Sequence, residues 1–446
     1  MVPMPEENEI GRESMKSFFV IWSGQAISLF GSQLVQFALI WWLTKETGSA
    51  TVLALASIVA LVPQAIMGPI AGTFVDRWNR RRILFVADSL VALSTLLLGL
   101  LFLTGQIEIW HVYATLFIRA LGASFHWPAM AASTSLMVPE EHLARVQGLN
   151  QTLQGGMNII SAPLSALLLG ILPVEGILAI DVVTALFAVI PLLFINIPQP
   201  ERTELAESGD PAGHGQSSFW NELKEGFNYV WSWPGLLIIL IMATLINFVL
   251  TPAFTLLPLI VTDHFQGGAL QLGYLEAAWG IGVVSGGIIL GVWGGFSRRI
   301  MTTLLGLVLM GILVVFFGLV PATMIGLAIG IIFLVGAMNP IVNGPVLALV
   351  QSLVNPQMQG RVFGLVSSGV AIMSPLGLVM AGLLADHVGL RIWFVVGGIV
   401  TVTIGLAGFF IPAVFNIEDD HLVQEDVVDL ESTSSQLVDE ASGLSV

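Results

Sequence analysis

The sequence lacks cysteine and is poor in charge. None of its 446 residues is cysteine, which excludes disulfide bonds, thiolate catalysis and cysteine-based metal sites. The seven histidines form no metal-ligand spacing such as HExxH, and no P-loop is present, so we expect neither a metal site nor ATP as the energy source. Only 10% of the residues are charged, whereas soluble domains carry about 25%. With 55% hydrophobic residues and a mean hydropathy of +0.89, the composition indicates a polytopic membrane protein.

The net charge of -15 is confined to three segments. Residues 1–17 hold four acidic and two basic residues, residues 198–233 hold six and two, and the tail from Phe415 holds nine acidic residues and no basic one. The remaining chain is neutral. We expect the three acidic segments to be solvated. The acidic balance argues against nucleic acid as a partner.

Twelve apolar stretches are long enough to cross a bilayer, whose core needs about 20 residues of helix. Helices fit these stretches because they satisfy their own backbone hydrogen bonds in lipid. We therefore predict an all-α polytopic membrane protein with twelve transmembrane helices. The predicted spans are 18–43, 51–75, 83–104, 110–137, 146–172, 176–197, 235–261, 269–294, 301–321, 323–350, 362–385 and 389–414.

The basic residues predict the orientation of these helices, because cytoplasmic loops carry an excess of Lys and Arg. With the N-terminus in the cytoplasm, the outer loops hold only Lys45 and Arg391. The inner segments then hold Arg12, Lys16, Arg77, Arg80, Arg81, Arg82, Arg145, Arg202, Lys224, Arg298, Arg299 and Arg361. Both termini and the linker 198–233 are thereby predicted to be cytoplasmic.

The two halves of the chain share a short repeat. Residues 145–149 read RVQGL and residues 361–365 read RVFGL, and PAMAASTSLMVP (128–139) parallels PVLALVQSLVNP (345–356). The repeat predicts two six-helix bundles with a substrate site between them near mid-membrane, and alternating access by rocking of one bundle against the other. The predicted units are an N-terminal segment (1–17), a first bundle (18–197), a linker with an interfacial helix at 218–232 (198–233), a second bundle (234–414) and an acidic tail (415–446).

The loop after the second predicted span carries a motif that indicates which class of membrane protein this is. Its residues 72–81, GTFVDRWNRR, resemble the G-x-x-x-D-R-x-G-R-R/K signature of the major facilitator superfamily. Asn79 stands where the second glycine is usual, and Asn tolerates a left-handed turn. The resemblance implies a cytoplasmic gate formed by charged groups that separate and reform as the bundles rock. The gate residues are Gly72, Asp76, Arg77, Arg80 and Arg81.

The alternative for this arginine cluster is a plain positive-inside anchor. The corresponding loop of the second half, residues 291–299, keeps its glycine and the arginines Arg298 and Arg299 but has no aspartate. This asymmetry suggests that only the first copy works as a complete gate.

Three further segments resemble the drug:proton antiporter branch of this superfamily that includes macrolide-efflux proteins. They are WSGQAISLFGSQLVQFALIWWLTKETG (22–48), IRALGASFHWPAM (118–130) and VPEEHLARVQGLNQ (138–151). The resemblance implies export of amphipathic compounds in exchange for protons. The fifth span departs from the antiporter motif G-x-x-x-G-P-x-x-G-G, because Asn158, Ala162 and Ala166 replace glycines. Small side chains at these positions still allow close packing.

Five ionisable residues lie in the interior of predicted spans, away from the span ends, where a charge is costly and functional by default. Asp181 and Glu276, each about two turns from the outer surface, are alternative carriers of the coupling proton. Arg119 is expected either to tune a nearby carboxylate or to form a structural ion pair. Asp88 is a further proton-coupling candidate, although its position favours pairing with the arginines of 77–82. His126 is interpreted as a hydrogen-bonded packing residue.

Uncharged polar side chains within the spans either bridge helices or line a wet cavity. The candidates for a substrate cavity are Gln25, Gln33, Gln36, Gln151, Asn158, Asn247, Asn339 and Asn343.

The leading hypothesis is a proton-coupled efflux transporter, and not an enzyme, for amphipathic drugs such as macrolides. We expect it to act without a cofactor, as a monomer in the cell membrane, with the proton gradient as its energy source. A lipid or lysolipid transporter of the same fold is one alternative, and a non-transporting membrane receptor is another.

Overall fold

The computed structural model describes residues 7–199, 227–354, 358, 362, 369, 373–383 and 389–419. The side chains of residues 7–14, and of positions that include Asp76 and Arg77, lie outside the described part. Over the described ranges the chain is almost wholly helical and has no strand, in agreement with the all-α prediction.

Six helices form the first half of the chain. They are α1 (Glu7–Thr47), α2 (Ala50–Arg77), α3 (Arg80–Thr104), α4 (Ile109–Met137), α5 (Glu140–Leu169) and α6 (Val174–Phe194). Polar side chains begin two of them, because the first N–H groups of a helix lack an intrahelical partner. Ser49 Oγ accepts from the N–H of Val52, and Asn79 Oδ1 accepts from the N–H of Arg82.

The helices of the second half are α7 (Pro234–Thr255), α8 (Ala269–Trp293), α9 (Arg299–Leu319), α10 (Ile325–Leu353), α11, described over Met373–Leu383, and α12 (Leu390–Phe410). The predicted span 235–261 is not one continuous helix. It is interrupted at Leu256, after which come a short helix (Leu257–Leu259) and a π-helical turn (Ile260–His264). Of the predicted interfacial helix, the described residues 227–232 are helical.

Ten of the described helices are long and apolar enough to cross a membrane. The helix α4 has 29 residues and is also long enough to cross a membrane, although it is not among these ten. The eleventh predicted span, 362–385, falls mainly outside the described residues. The described helices therefore account for the other eleven of the twelve spans.

The helices pack in the same pattern in the two halves. In the first half α1 packs on α6, α2 on α4, and α3 on both α4 and α6. In the second half α7 packs on α12, α8 on α10, and α9 on both α10 and α12. Adding six to the helix numbers of each pair in the first half gives the corresponding pair in the second half. The packing therefore has the pseudo-symmetry that the short sequence repeat predicts.

The two bundles meet at one end of the molecule. At the end opposite the arginine-rich loops, one apolar cluster joins Leu39 and Leu53 of the first bundle to Leu256, Leu259 and Ala381 of the second. At the arginine-rich end, which we call the basic end, the described apolar clusters each belong to a single bundle. In the described part of the chain, the bundles are thus closed at one end and separate at the basic end.

Glycines on α8 allow the close contact between the bundles. A Cβ atom on Gly273 would lie 3.0 Å from Pro163 Cα and 3.1 Å from Ala162 O of α5. A Cβ atom on Gly280 would lie 3.0 Å from Asn158 O. The close packing expected from small residues on α5 is therefore completed by glycines on its partner, since a backbone without side chains can approach most closely.

The acidic tail does not begin as the solvated segment that its charge predicts. Val414 and Ile417 are fully buried against Ile239 of α7 and against Ile300 and Leu304 of α9. A helical turn (Pro412–Phe415) directs the chain across these helix ends. The prediction that the tail is solvated is therefore wrong for its first residues. The apolar side chain of Ile417, which stands next to acidic residues in the sequence, packs between helices at the basic end.

Substitution of Ile417 by Ala is expected to destabilise the second bundle by about 2–5 kcal/mol, the usual cost of removing a large buried aliphatic side chain. The measurement is the thermal unfolding of the detergent-solubilised protein, followed by tryptophan fluorescence. Phe410→Ala is the matched control, because Phe410 is 83% exposed. Equal unfolding temperatures for Ile417→Ala and the wild type would contradict the packing of the tail.

Candidate functional site

The described arginines of the gate motif bind within the first bundle. Arg80 is buried, and its Nη1 donates to the carbonyl of Ala132 on α4 at 2.9 Å. Arg81 donates to the carbonyls of Leu192 and Leu193 at the end of α6. These contacts tie α3 to α4 and α6, which a plain solvated anchor would not do. The charge network with Asp76 and Arg77 stays a prediction, because the side chains of these two residues lie outside the described part of the chain. The same holds for the role of Gly72.

Asn79 does not adopt the left-handed turn that its place in the motif suggested. Its φ is -67° and its ψ is 113°, and its side chain caps α3. That expectation was wrong because Asn is also among the preferred N-cap residues, and the cap needs extended backbone.

The second loop obtains an acidic partner from a distant part of the chain. Arg298 Nη2 lies 2.9 Å from Asp419 Oδ2, and Glu418 Oε1 accepts from the N–H of Ile300 at 3.0 Å. Arg299 donates to Ser352 Oγ of α10 at 2.9 Å. The missing aspartate of this loop is thus supplied by the start of the tail, and the asymmetry expected between the two loops is smaller than the loop sequences suggest.

A buried ion pair lies at the centre of the first bundle. Arg119 Nη1 of α4 is 2.7 Å from Asp181 Oδ2 of α6, and Asp181 is 1% exposed. Ser32 of α1 donates to Asp181 Oδ1 at 3.0 Å, and Thr95 of α3 lies 3.1 Å from Oδ2. Arg119 also donates to the carbonyl of Ser32 at 2.9 Å. Four helices therefore contribute to one satisfied charge pair, which is the condition for burying such charges.

A second polar cluster lies nearer the basic end of the same bundle. Gln25 Nε2 donates to Asp88 Oδ2 at 2.7 Å, and His126 Nε2 is 2.8 Å from Gln25 Oε1 and 3.6 Å from Asp88 Oδ1. Asp88 is therefore bound to Gln25 and not to the described arginines 80–82, which was the pairing we expected. His126 is hydrogen-bonded, as interpreted. Gln25 is buried in this cluster and lines neither of the two cavities beside Glu276.

Glu276 lies between the two bundles. It lines a cavity of about 220 Å³ together with Gln33 and Gln36 of α1 and Asn158 and Ser161 of α5. Among the described residues, no side chain donates a hydrogen bond to Glu276 or forms an ion pair with it. The carboxyl group thus faces two bundles and is bonded to neither.

A larger cavity of about 720 Å³ extends from Glu276 along the second bundle to Ile300, near the basic end. Its polar lining includes Asn158, Asn247, Asn339 and Asn343. The amides of Asn247 and Asn343 donate only to carbonyls one turn earlier on their own helices. Gln151 is exposed and lines neither cavity.

The apolar lining of the larger cavity includes two aromatic rings that residue spacing had not singled out. Phe254 of α7 and Trp279 of α8 pack against each other with their centroids 5.0 Å apart. Ser32 and Thr95 were also missed at the ion pair. Their spacing could have indicated both residues. Ser32 follows Gln25 by seven residues, and Thr95 follows Asp88 by seven, so each pair lies on one face of its helix.

Two pseudo-symmetric helical bundles around a cavity with polar and apolar walls define a polytopic membrane transporter. The sequence profile of the Major Facilitator Superfamily matches residues 21–378 and, again, 236–424. The chain belongs to that superfamily, which confirms the resemblance found in the loop after α2.

Several named efflux proteins are similar to most of the chain. Macrolide efflux protein A of Streptococcus pyogenes is 35% identical over 389 residues, which cover 87% of this chain and 94% of that protein. Macrolide efflux protein A of Enterococcus faecalis is 34% identical over 331 residues, 74% of this chain and all of that protein. The multidrug efflux pump Tap of Mycolicibacterium fortuitum is 25% identical over 396 residues, covering 86% and 92%.

The fold is shared with solved transporters of low sequence identity. A bacterial homologue of the human lysosomal transporter Spinster, solved in an inward-facing and unoccupied conformation, is 13% identical with a TM-score of 0.66, covering 92% of this chain and 98% of that one. A single-residue mutant of the nucleoside transporter NupG is also 13% identical, with a TM-score of 0.65 and coverage of 87% and 98%. These similarities concern the fold alone.

Substitution of Arg119 by Met is expected to destabilise the first bundle by about 3–5 kcal/mol, because it leaves the charge of Asp181 buried and unpaired. The double variant Arg119→Met with Asp181→Leu is expected to recover most of the lost stability. Thermal unfolding of the two variants in detergent is the measurement. A single variant as stable as the wild type, or a double variant no better than the single one, would contradict the structural role of the pair.

Proposed function

We propose that this chain is a proton-coupled exporter of amphipathic drugs such as macrolides, located in the cell membrane, and that Glu276 carries the coupling proton. The observation that carries the proposal is the position of Glu276 between the bundles, where its carboxyl group faces both cavities and has no partner among the described residues.

The other buried carboxylates are less suited to this role. Asp181 accepts hydrogen bonds from Ser32 and Arg119 in a satisfied ion pair within one bundle. Protonation of Asp181 would leave the guanidinium of Arg119 as an uncompensated buried charge. Asp88 also lies within one bundle. Glu276 can instead exchange its proton for a substrate at the surface where the bundles move against each other.

The cavity chemistry supports an amphipathic substrate. Ligand pockets combine apolar walls with a few placed polar groups, and a volume of about 720 Å³ lies in the range of small-molecule sites. The amide groups of Asn247 and Asn343 offer hydrogen bonds, while Phe254 and Trp279 offer aromatic faces. Glu276 adds a negative charge for a basic amine. The names of the macrolide and multidrug efflux relatives support the same substrate class.

The geometry of the ends supports alternating access. The basic end, which the positive-inside rule assigns to the cytoplasm, is where the described bundles are apart, and the opposite end is where they are packed. The larger cavity extends towards the basic end. We infer an inward-facing state, in which a drug from the cytoplasm or the inner leaflet reaches Glu276 before the bundles rock.

Substitution of Glu276 by Gln is expected to abolish gradient-driven drug accumulation while leaving drug binding measurable, because the amide keeps the shape of the side chain but cannot release a proton. The measurement is the uptake of a labelled macrolide into inverted vesicles with an imposed pH gradient, set beside equilibrium binding to the purified protein.

Glu141→Gln is the matched control for this experiment, because Glu141 is 78% exposed and lines neither cavity. Full gradient-driven uptake by Glu276→Gln would assign the proton to another carboxylate. Movement of lipid without dependence on the gradient would instead support a lipid transporter, and tight binding without any flux would support a receptor.

Substitution of Gly273 by Leu is expected to prevent closure at the end opposite the basic end, because the new side chain would meet the backbone of Pro163 and Ala162. Transport should be lost. In a paired-cysteine version of this cysteine-free chain, crosslinking between α1 and the short helix Leu257–Leu259 at that end should fall.

The control for Gly273→Leu is Gly287→Leu on the same helix, where a Cβ atom would meet no atom within 4 Å. Unchanged crosslinking and transport in Gly273→Leu would contradict the role of this close contact.

A further inference from the structure

The first bundle contains two polar layers that have three helices in common. Ser32, Thr95 and Arg119 belong to the layer around Asp181. Each has a counterpart seven residues away on its own helix, namely Gln25 on α1, Asp88 on α3 and His126 on α4. Seven residues are two helical turns, so the layers are about 10 Å apart along the bundle.

The layers differ in how their carboxylate is compensated. Asp181 has a guanidinium 2.7 Å away, which is charged at every relevant pH. Asp88 has an imidazole 3.6 Å away, which is charged only when it holds an added proton. Because histidine can gain or lose a proton whereas arginine keeps its charge, the number of protons held by the second layer can change.

The hydrogen bonds of Gln25 indicate where an added proton would bind. Its amide nitrogen donates to Asp88, so its carbonyl oxygen accepts from His126 Nε2. The neutral ring therefore carries its hydrogen on Nε2, and its lone pair lies on Nδ1. Within the described part of the chain no group donates to Nδ1, which leaves this nitrogen free to accept a proton.

Few other charges act on this layer. Between Lys16 and Lys45, α1 has no ionisable residue, and α2 has none before Asp76. On α3, Arg80 and Arg81 are bound to backbone carbonyls of α4 and α6. On α4 and α6 the nearest charged groups are those of the Arg119–Asp181 pair, about two turns away, and they compensate each other.

We propose that His126, Asp88 and Gln25 form a proton-binding site of the first bundle, separate from Glu276. A proton from water bonds to the lone pair of His126 Nδ1, and the imidazolium then compensates the charge of Asp88. Release of the proton to water restores the neutral ring. Gln25 positions the two groups by binding both. This site stands whether or not the chain exports drugs, because it depends only on contacts within one bundle.

The test is a pH titration of the detergent-solubilised full chain labelled with ¹³C at the histidine rings, whose seven signals can be followed by NMR. His126→Asn or His126→Gln identifies the signal of His126 by its loss. We expect that signal to change with pH in the wild type as the ring gains a proton. In Asp88→Asn the midpoint of this change should lie at a lower pH than in the wild type, because the carboxylate that favours the charged ring is removed.

His264 provides the control, because it hydrogen-bonds to the carbonyl of Val320 in the second bundle, so its signal should be unaffected by Asp88→Asn. A His126 signal that does not change over the pH range in which the protein stays folded would overturn the proposal. The wild type alone is enough for this result. A midpoint unchanged in Asp88→Asn would also overturn it. Where Asp88→Asn fails to fold, Gln25→Leu tests the same coupling, since it removes the group that bridges the pair.

Discussion

A charged side chain in the apolar interior of a membrane protein is costly unless it is paired, and this constraint separates the buried ionisable residues into three kinds. Asp181 is compensated permanently by Arg119. Asp88 is compensated only when His126 is protonated. Glu276 has no partner in the described part of the chain and faces the cavities. The degree of compensation thus distinguishes a structural ion pair from the groups that we propose as proton-binding sites.

Close packing of backbones is the second requirement of the architecture. In the proposed alternating-access cycle the two bundles need a contact that can form and separate without interlocking side chains, and small residues provide it. In this chain the contact surface is divided between α5, with Ala162 and Pro163, and α8, with Gly273 and Gly280. The antiporter motif of the fifth span has lost its glycines, but the glycines of α8 keep the two backbones close. The loss from one helix therefore does not remove the contact.

Several features were predictable because each depends on a short stretch of chain. Span lengths follow from apolar runs, and most predicted bounds lie within a few residues of α2 to α6. Local sequence patterns gave the wrong prediction where one residue type is suited to two structural roles. Asn79 could form a left-handed turn or cap a helix, and it caps α3. Gln25 could line a cavity or bridge helices, and it bridges α1 to α3 and α4.

The sequence by itself determined the class of protein, the helical bundles and the residues whose burial would be costly, because composition, periodicity and repeats are properties of the linear chain. Only the tertiary structure decided which of these residues meet. Arg119 and Asp181 are 62 positions apart, and Arg298 meets Asp419 across 121 positions. Such pairs depend on how whole helices pack, and no local pattern specifies that packing. The same packing leaves Glu276 between the bundles, where its carboxyl group faces the cavities.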